Sequence, residues 1–64
     1  MVSDDEIRDR FDVKPATAEV DSIALEFMTM ALKMNSDLPE GRAKAIVLTK
    51  LEEAARWAMA AVST

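Results

Sequence analysis

The stretch 38-LPEGRAKAIVLTKLEEAARWAMAAV-62 opens as a turn and continues as one long helix. Its apolar residues do not keep to one face. Val47, Leu51, Ala54, Ala58 and Ala61 follow a seam with alternating four- and three-residue steps, the spacing of a helix packed on one neighbour. Small residues along that seam allow close approach, so it is expected to lie on the preceding helix. Leu48, Ala55, Met59 and Val62 make a second stripe beside it, and Ile46 and Trp57 lie on the other flank. A helix with one partner needs one stripe, so the remaining stripes are expected to meet further copies of the chain.

Upstream, the pattern from Ala18 to Asn35 is uninterrupted. Val20, Ile23, Ala24, Phe27, Met30/Ala31 and Met34 recur at helical spacing, with Leu25, Met28 and Leu32 on another face. Thr17 is placed to cap this helix, with Pro15 just ahead. Asn35-Ser-Asp-Leu-Pro-Glu-Gly41 is the turn, in which Asp37 is expected to cap the next helix. Gly41 fits either the turn or the first helical turn. Further upstream, Ser3-Asp-Asp-Glu6 has the spacing of a capping box, and Ile7 and Phe11 share one side of a short helix that Lys14-Pro15 ends. The expected fold is therefore all-α. One domain, residues 1–64, holds a short helix over about 4–11 and an antiparallel hairpin of long helices over about 17–35 and 40–62.

Size strengthens the case for self-association. A chain of 64 residues buries only about 60% of the surface it exposes when unfolded. Small domains usually add a disulfide, a metal or a partner copy. The chain has no Cys and no His, yet 50% of it is hydrophobic. By elimination the apolar surplus goes into a homo-oligomer.

The net charge of −4 argues against a DNA-binding face. No apolar run approaches the ~20 residues of a membrane span, and MVSDDEIRDR lacks the basic and apolar regions of a signal peptide. A soluble, cytosolic protein without membrane association is expected.

Catalysis finds little support. Nucleophilic chemistry needs Cys, or Ser or Thr beside a base, and the commonest base, His, is absent. The single glycine excludes a glycine-rich phosphate loop, and the adjacent Glu52 and Glu53 point roughly 100° apart on a helix. No enzyme, no cofactor and no metal site is expected.

Binding of a small anion is the better reading of the cations. Arg42 falls in the first turns of the third helix, where backbone N–H groups are unpaired and the dipole is positive. An Arg there is poor for stability but useful where an anion binds. Lys44 lies close by, and a symmetric oligomer would repeat both around its axis. Phe11, beside Arg10 and Lys14, either stacks on a nucleobase or staples the first helix to the hairpin. Thr49, polar beside an apolar seam, either bonds back to the carbonyl four residues earlier or joins the ligand contacts. Trp57 reads as a packing anchor. Ligand-binding candidates are thus Arg42, Lys44, Lys14, Phe11, Arg10 and Thr49.

The run 41-GRAKAIVLTKLEEAARWAMAAV-62 resembles the C-terminal helix of the hairpin domain of phage anti-CBASS and anti-Thoeris sponge proteins. The shared core is L-T-K-L-E-E-A-x-x-W-A, here Leu48 to Ala58, with Arg42, Lys44, Ala60 and Ala61 matching around it. 10-RFDVKP-15 is similar to the segment that precedes the family's first long helix. The resemblance implies a hexamer that sequesters cyclic di- and trinucleotides, with cyclic ADP-ribose isomers as further candidates. The ligand is held uncut in the cytoplasm of the infected host, so the immune effector is never switched on. It also implies a phosphate contact at Arg42 and a dinucleotide pocket lined near Phe11 and Lys14. Val13 stands where many members have Tyr, Met59 replaces an Asn, and Arg56 replaces an apolar residue. The reading from another class is a self-associating helical adaptor that docks a protein partner.

Overall fold

In the computed structural model the described residues are 2–12 and 17–63. They form three helices and, among them, no strand: α1 (Asp4–Phe11), α2 (Ala18–Asp37) and α3 (Arg42–Ser63).

Each of the first two helices starts as its sequence dictates. The Ser3 hydroxyl accepts from Glu6 N at 3.1 Å, and Asp4, Asp5 and Glu6 place negative charge against the positive end of α1. The Thr17 hydroxyl accepts from Val20 N at 3.2 Å, with Glu19 and Asp21 in the first turn of α2. Helix α2 runs on through Asp37, where Lys33 pairs with that carboxylate at 2.9 Å. Asp37 therefore does not cap α3 as expected. Gly41 takes that place. It sits in the turn with φ +150°, a conformation that glycine adopts without a Cβ penalty, and its carbonyl accepts from Ala45 N at 3.2 Å.

Helices α2 and α3 pack along each other, and α1 lies mainly on α2 while touching α3. The molecule measures 36 × 18 × 14 Å. Ala18, Ser22 and Ile23 at the start of α2 share a groove with Val62 at the end of α3. At the opposite end the Asn35 side-chain amide donates to the Val2 carbonyl at 2.9 Å and approaches Asp4 Oδ1 at 3.4 Å, tying the start of α1 to the end of α2.

The core joins Ile7, Phe11, Ala31, Leu48 and Ala55, with Phe27, Met28, Leu32, Leu51 and Met59 packed against it. This corrects the expected seam of α3. Ala54 and Ala61 are exposed, whereas Leu48 and Ala55 are buried. Ile7 and Phe11 of α1, one helical turn apart, share one cluster with Leu48 and Ala55, two residues of the stripe that was expected to face other copies. Val62 of that stripe stays exposed, and Val47, Leu51 and Ala58 of the expected seam are half-buried. Met28 and Leu32 of α2 pack against the same cluster. Leu25, 60% exposed, and Met30 stay open.

Candidate functional site

The start of α3 differs chemically from those of α1 and α2. Its preceding residue is a glycine, which has no side chain to accept from the first amides, and its first turn holds no acidic residue. The first N–H groups there receive no side-chain cap from Gly41, and the nearest carboxylate, Glu40, is engaged by Lys44. Arg42 adds a further positive charge and is exposed, with no ion pair among the described residues.

Arg42 and Thr49 line one open groove of about 310 Å³, together with Ala45, Ile46 and Lys50. That volume is at the lower end of the range for small-molecule sites. Its floor is apolar and its rim offers a guanidinium, an ammonium and a hydroxyl. Lys50 also reaches Glu53 at 3.3 Å, an exposed pair that is easily broken. The Thr49 hydroxyl makes no back-bond to Ala45 among the described residues; on α2, Thr29 makes such a bond to the Leu25 carbonyl at 2.9 Å.

The other candidates are not brought to this groove. Lys44 is 6% exposed and donates to Glu40 Oε1 at 2.6 Å. That hydrogen bond, together with the ammonium charge, holds the Glu40 carboxyl below its ordinary pKa. The pair borders a second hollow with Val2, Gly41 and Leu48. Phe11, 3% exposed, lies in the core and staples α1 to the rest of the chain. Arg10 donates to Glu52 at 3.1 Å and also faces Glu6 at 3.8 Å. Lys14 and Val13 lie outside the described residues.

Two groove residues, Ile46 and Lys50, were not among the ligand-binding candidates, although both fall one or two helical turns from Arg42 on the same face. Trp57 departs from expectation in the single chain. It is 77% exposed and borders a further groove with Glu53, Arg56 and Ala60.

Among the described residues no helix is long and apolar enough to cross a membrane. Comparison with curated proteins and with solved structures gave no match. The family model for the Acb2/Tad1 hairpin domain matches residues 3–63. The matched span runs from the cap of α1 to the last residue of α3 and takes in the whole groove, so the chain belongs to the Acb2/Tad1 hairpin-domain family of anti-CBASS and anti-Thoeris sponges.

Proposed function

We propose that this protein is a phage anti-defence sponge that binds cyclic oligonucleotide second messengers and holds them uncut. The ligands are cyclic di- or trinucleotides, with cyclic ADP-ribose isomers in the same class of anion. It acts in the cytoplasm of the infected host as a homo-oligomer of helical hairpins, six copies on the family pattern. Sequestration lowers the free messenger below the level its effector needs.

The observation that carries this reading is the start of α3, with its glycine cap, acid-free first turn and exposed Arg42 over a groove shared with Thr49 and Lys50. A phosphate seated there meets the helix amides and a guanidinium that forks onto two of its oxygens. Ala45 and Ile46 offer an apolar surface to the base or ribose. Lys44 joins the ligand only by releasing Glu40, and Arg10 only by releasing Glu52.

Thermal unfolding with a panel of cyclic nucleotides at fixed protein concentration tests the proposal. A ligand confined to the folded state adds about 2.7 kcal/mol at a hundredfold excess over Kd. One class should raise Tm, Arg42→Ala should abolish the rise, and heat-denatured complexes should return the ligand chemically intact. No rise with any member rejects the sponge reading and leaves the helical adaptor. A cleaved ligand rejects storage in favour of catalysis.

A further inference from the structure

Lys44 lines a hollow distinct from the groove that Arg42 and Thr49 share. It holds about 260 Å³ between Val2, Glu40, Gly41 and Leu48. Small-molecule sites begin at roughly 300 Å³, so the hollow admits one group of a ligand and not the whole. Lys44 is 6% exposed, and among the described residues its one hydrogen bond goes to Glu40 Oε1 at 2.6 Å. An ammonium has three donors, so two are left over. In the Lys33–Asp37 and Arg56–Glu52 pairs the cation is 69% exposed, and water takes its spare donors. A buried ammonium needs partners for them. The Glu40 side chain, 57% exposed, likewise keeps acceptor positions open beside the hollow.

We propose that Glu40 and Lys44 together read the base of the bound nucleotide and select guanine. This rests on the sponge reading, in which a phosphate of the same ligand sits at Arg42. The Watson–Crick edge of guanine carries two N–H donors, N1–H and N2–H, beside the O6 acceptor. The two donors fit the Glu40 carboxylate, and O6 accepts from Lys44. The ion pair stays intact, because such an edge both donates and accepts. A second anion in the hollow would instead have to displace Glu40. Adenine, cytosine and uracil each offer one donor on that edge, so each makes one hydrogen bond fewer to the carboxylate.

Ala45 connects the two places. It lines both the hollow and the Arg42 groove. On the helical wheel it lies between them, about 60° from Arg42 and 100° from Lys44. Its methyl group is a low saddle, and it is exposed. From groove to hollow is about one helix diameter, roughly 10 Å, a span that one nucleotide covers from phosphate to base edge. Gly41 adds room on the hollow's side, since a Cβ built there would meet nothing within 4 Å. The phosphate site supplies affinity for any nucleotide of the class, and the hollow supplies the choice among them.

Calorimetric titration of cyclic di-GMP, cyclic GMP–AMP and cyclic di-AMP into the unmodified chain tests the selection. The two guanine ligands should bind about tenfold tighter than cyclic di-AMP, the worth of one hydrogen bond to a charged group. Glu40→Gln turns an amide donor toward the guanine donors, and the ratio should fall to about one. A merely stabilising role for the pair would weaken all three ligands alike and leave the ratio unchanged. Equal binding by the unmodified chain, or a preference that survives in Glu40→Gln, overturns the proposal. Ala45→Leu raises the saddle without touching the pair and should also erase the preference, so it decides the matter where Glu40→Gln fails to fold. A preference retained in Ala45→Leu overturns the path over Ala45. Failure of the unmodified chain to bind any cyclic nucleotide rejects the sponge reading instead. Titration of GMP against AMP, followed by the amide resonances of Glu40, Gly41 and Ala45, then decides the hollow. Larger shifts with GMP uphold its choice of base, and equal or absent shifts overturn it.

Discussion

Arg10 of α1 donates from Nη2 to Glu52 Oε1 of α3 at 3.1 Å, and Arg56 approaches the other oxygen of that carboxylate at 3.4 Å. The first contact spans most of the chain and fixes the short helix to the long one. Both partners of it are largely buried, at 24% and 19% side-chain exposure, so solvent screens it less than an ordinary surface pair. Arg10→Ala should cost about 1–2 kcal/mol, read as a lower urea midpoint at unchanged slope. Glu52→Gln should cost a similar amount, and the double variant little more than either, because the two share one contact. Fully additive losses would mean that Arg10 and Glu52 act separately.

Asn35 makes the other tie on α1. Its amide donates to the Val2 carbonyl at 2.9 Å and faces Asp4 Oδ1 at 3.4 Å. Asn35→Asp keeps the shape but removes both donors and sets a second carboxylate beside Asp4. A loss of about 1–3 kcal/mol is expected at neutral pH. Loss of amide hydrogen-exchange protection confined to α1 would locate the effect. Unaltered protection there would show that Val2 is held by other contacts.

The acid limb of the stability profile should carry the mark of Glu40. Its carboxyl is held below its ordinary pKa by the hydrogen bond from Lys44. The folded state therefore takes up this proton less readily than the unfolded state. The stability the pair contributes is complete above the ordinary carboxylate range and is lost as pH falls through the lowered value. Glu40→Gln should lower Tm at neutral pH, and the gap to the unmodified chain should close on acidification. A gap independent of pH would assign the effect to packing instead.

Local signals in the sequence proved the most legible. Ser3 and Thr17 cap as their spacing implies, since a hydroxyl three residues before a free amide needs no tertiary context. The phase of α3 was not legible. Val47–Leu51–Ala54 and Leu48–Ala55–Met59 are equally good stripes on a helical wheel, and only the tertiary core, in which Leu48 and Ala55 join Ile7, Phe11 and Ala31, chooses between them. The expected cations are claimed by carboxylates. Arg10 and Lys44 each sit within reach of a carboxylate that the sequence leaves unassigned, Glu52 across the fold and Glu40 one turn away. Arg42 was legible because its surroundings are local: a glycine before it and no acid in its turn.

Leu48 and Leu25 separate what stabilises one chain from what stabilises an assembly. Leu48 is 1% exposed at the centre of the core, and Leu25 is 60% exposed on α2. Leu48→Ala should cost about 2–5 kcal/mol. A domain of this length has only about 3–10 kcal/mol in total, so this variant should lose a large fraction of its stability and melt at a clearly lower temperature. Leu25→Ala should stay within about 0.5 kcal/mol if its side chain faces water in the working protein. A copy seated on Leu25 would make the loss larger and dependent on protein concentration, because association then contributes to the apparent stability. Circular dichroism melts of both variants at two concentrations a hundredfold apart would read the difference. A Leu25→Ala variant that falls short of the unmodified chain by the same small amount at both concentrations would show that Leu25 faces water in the working protein.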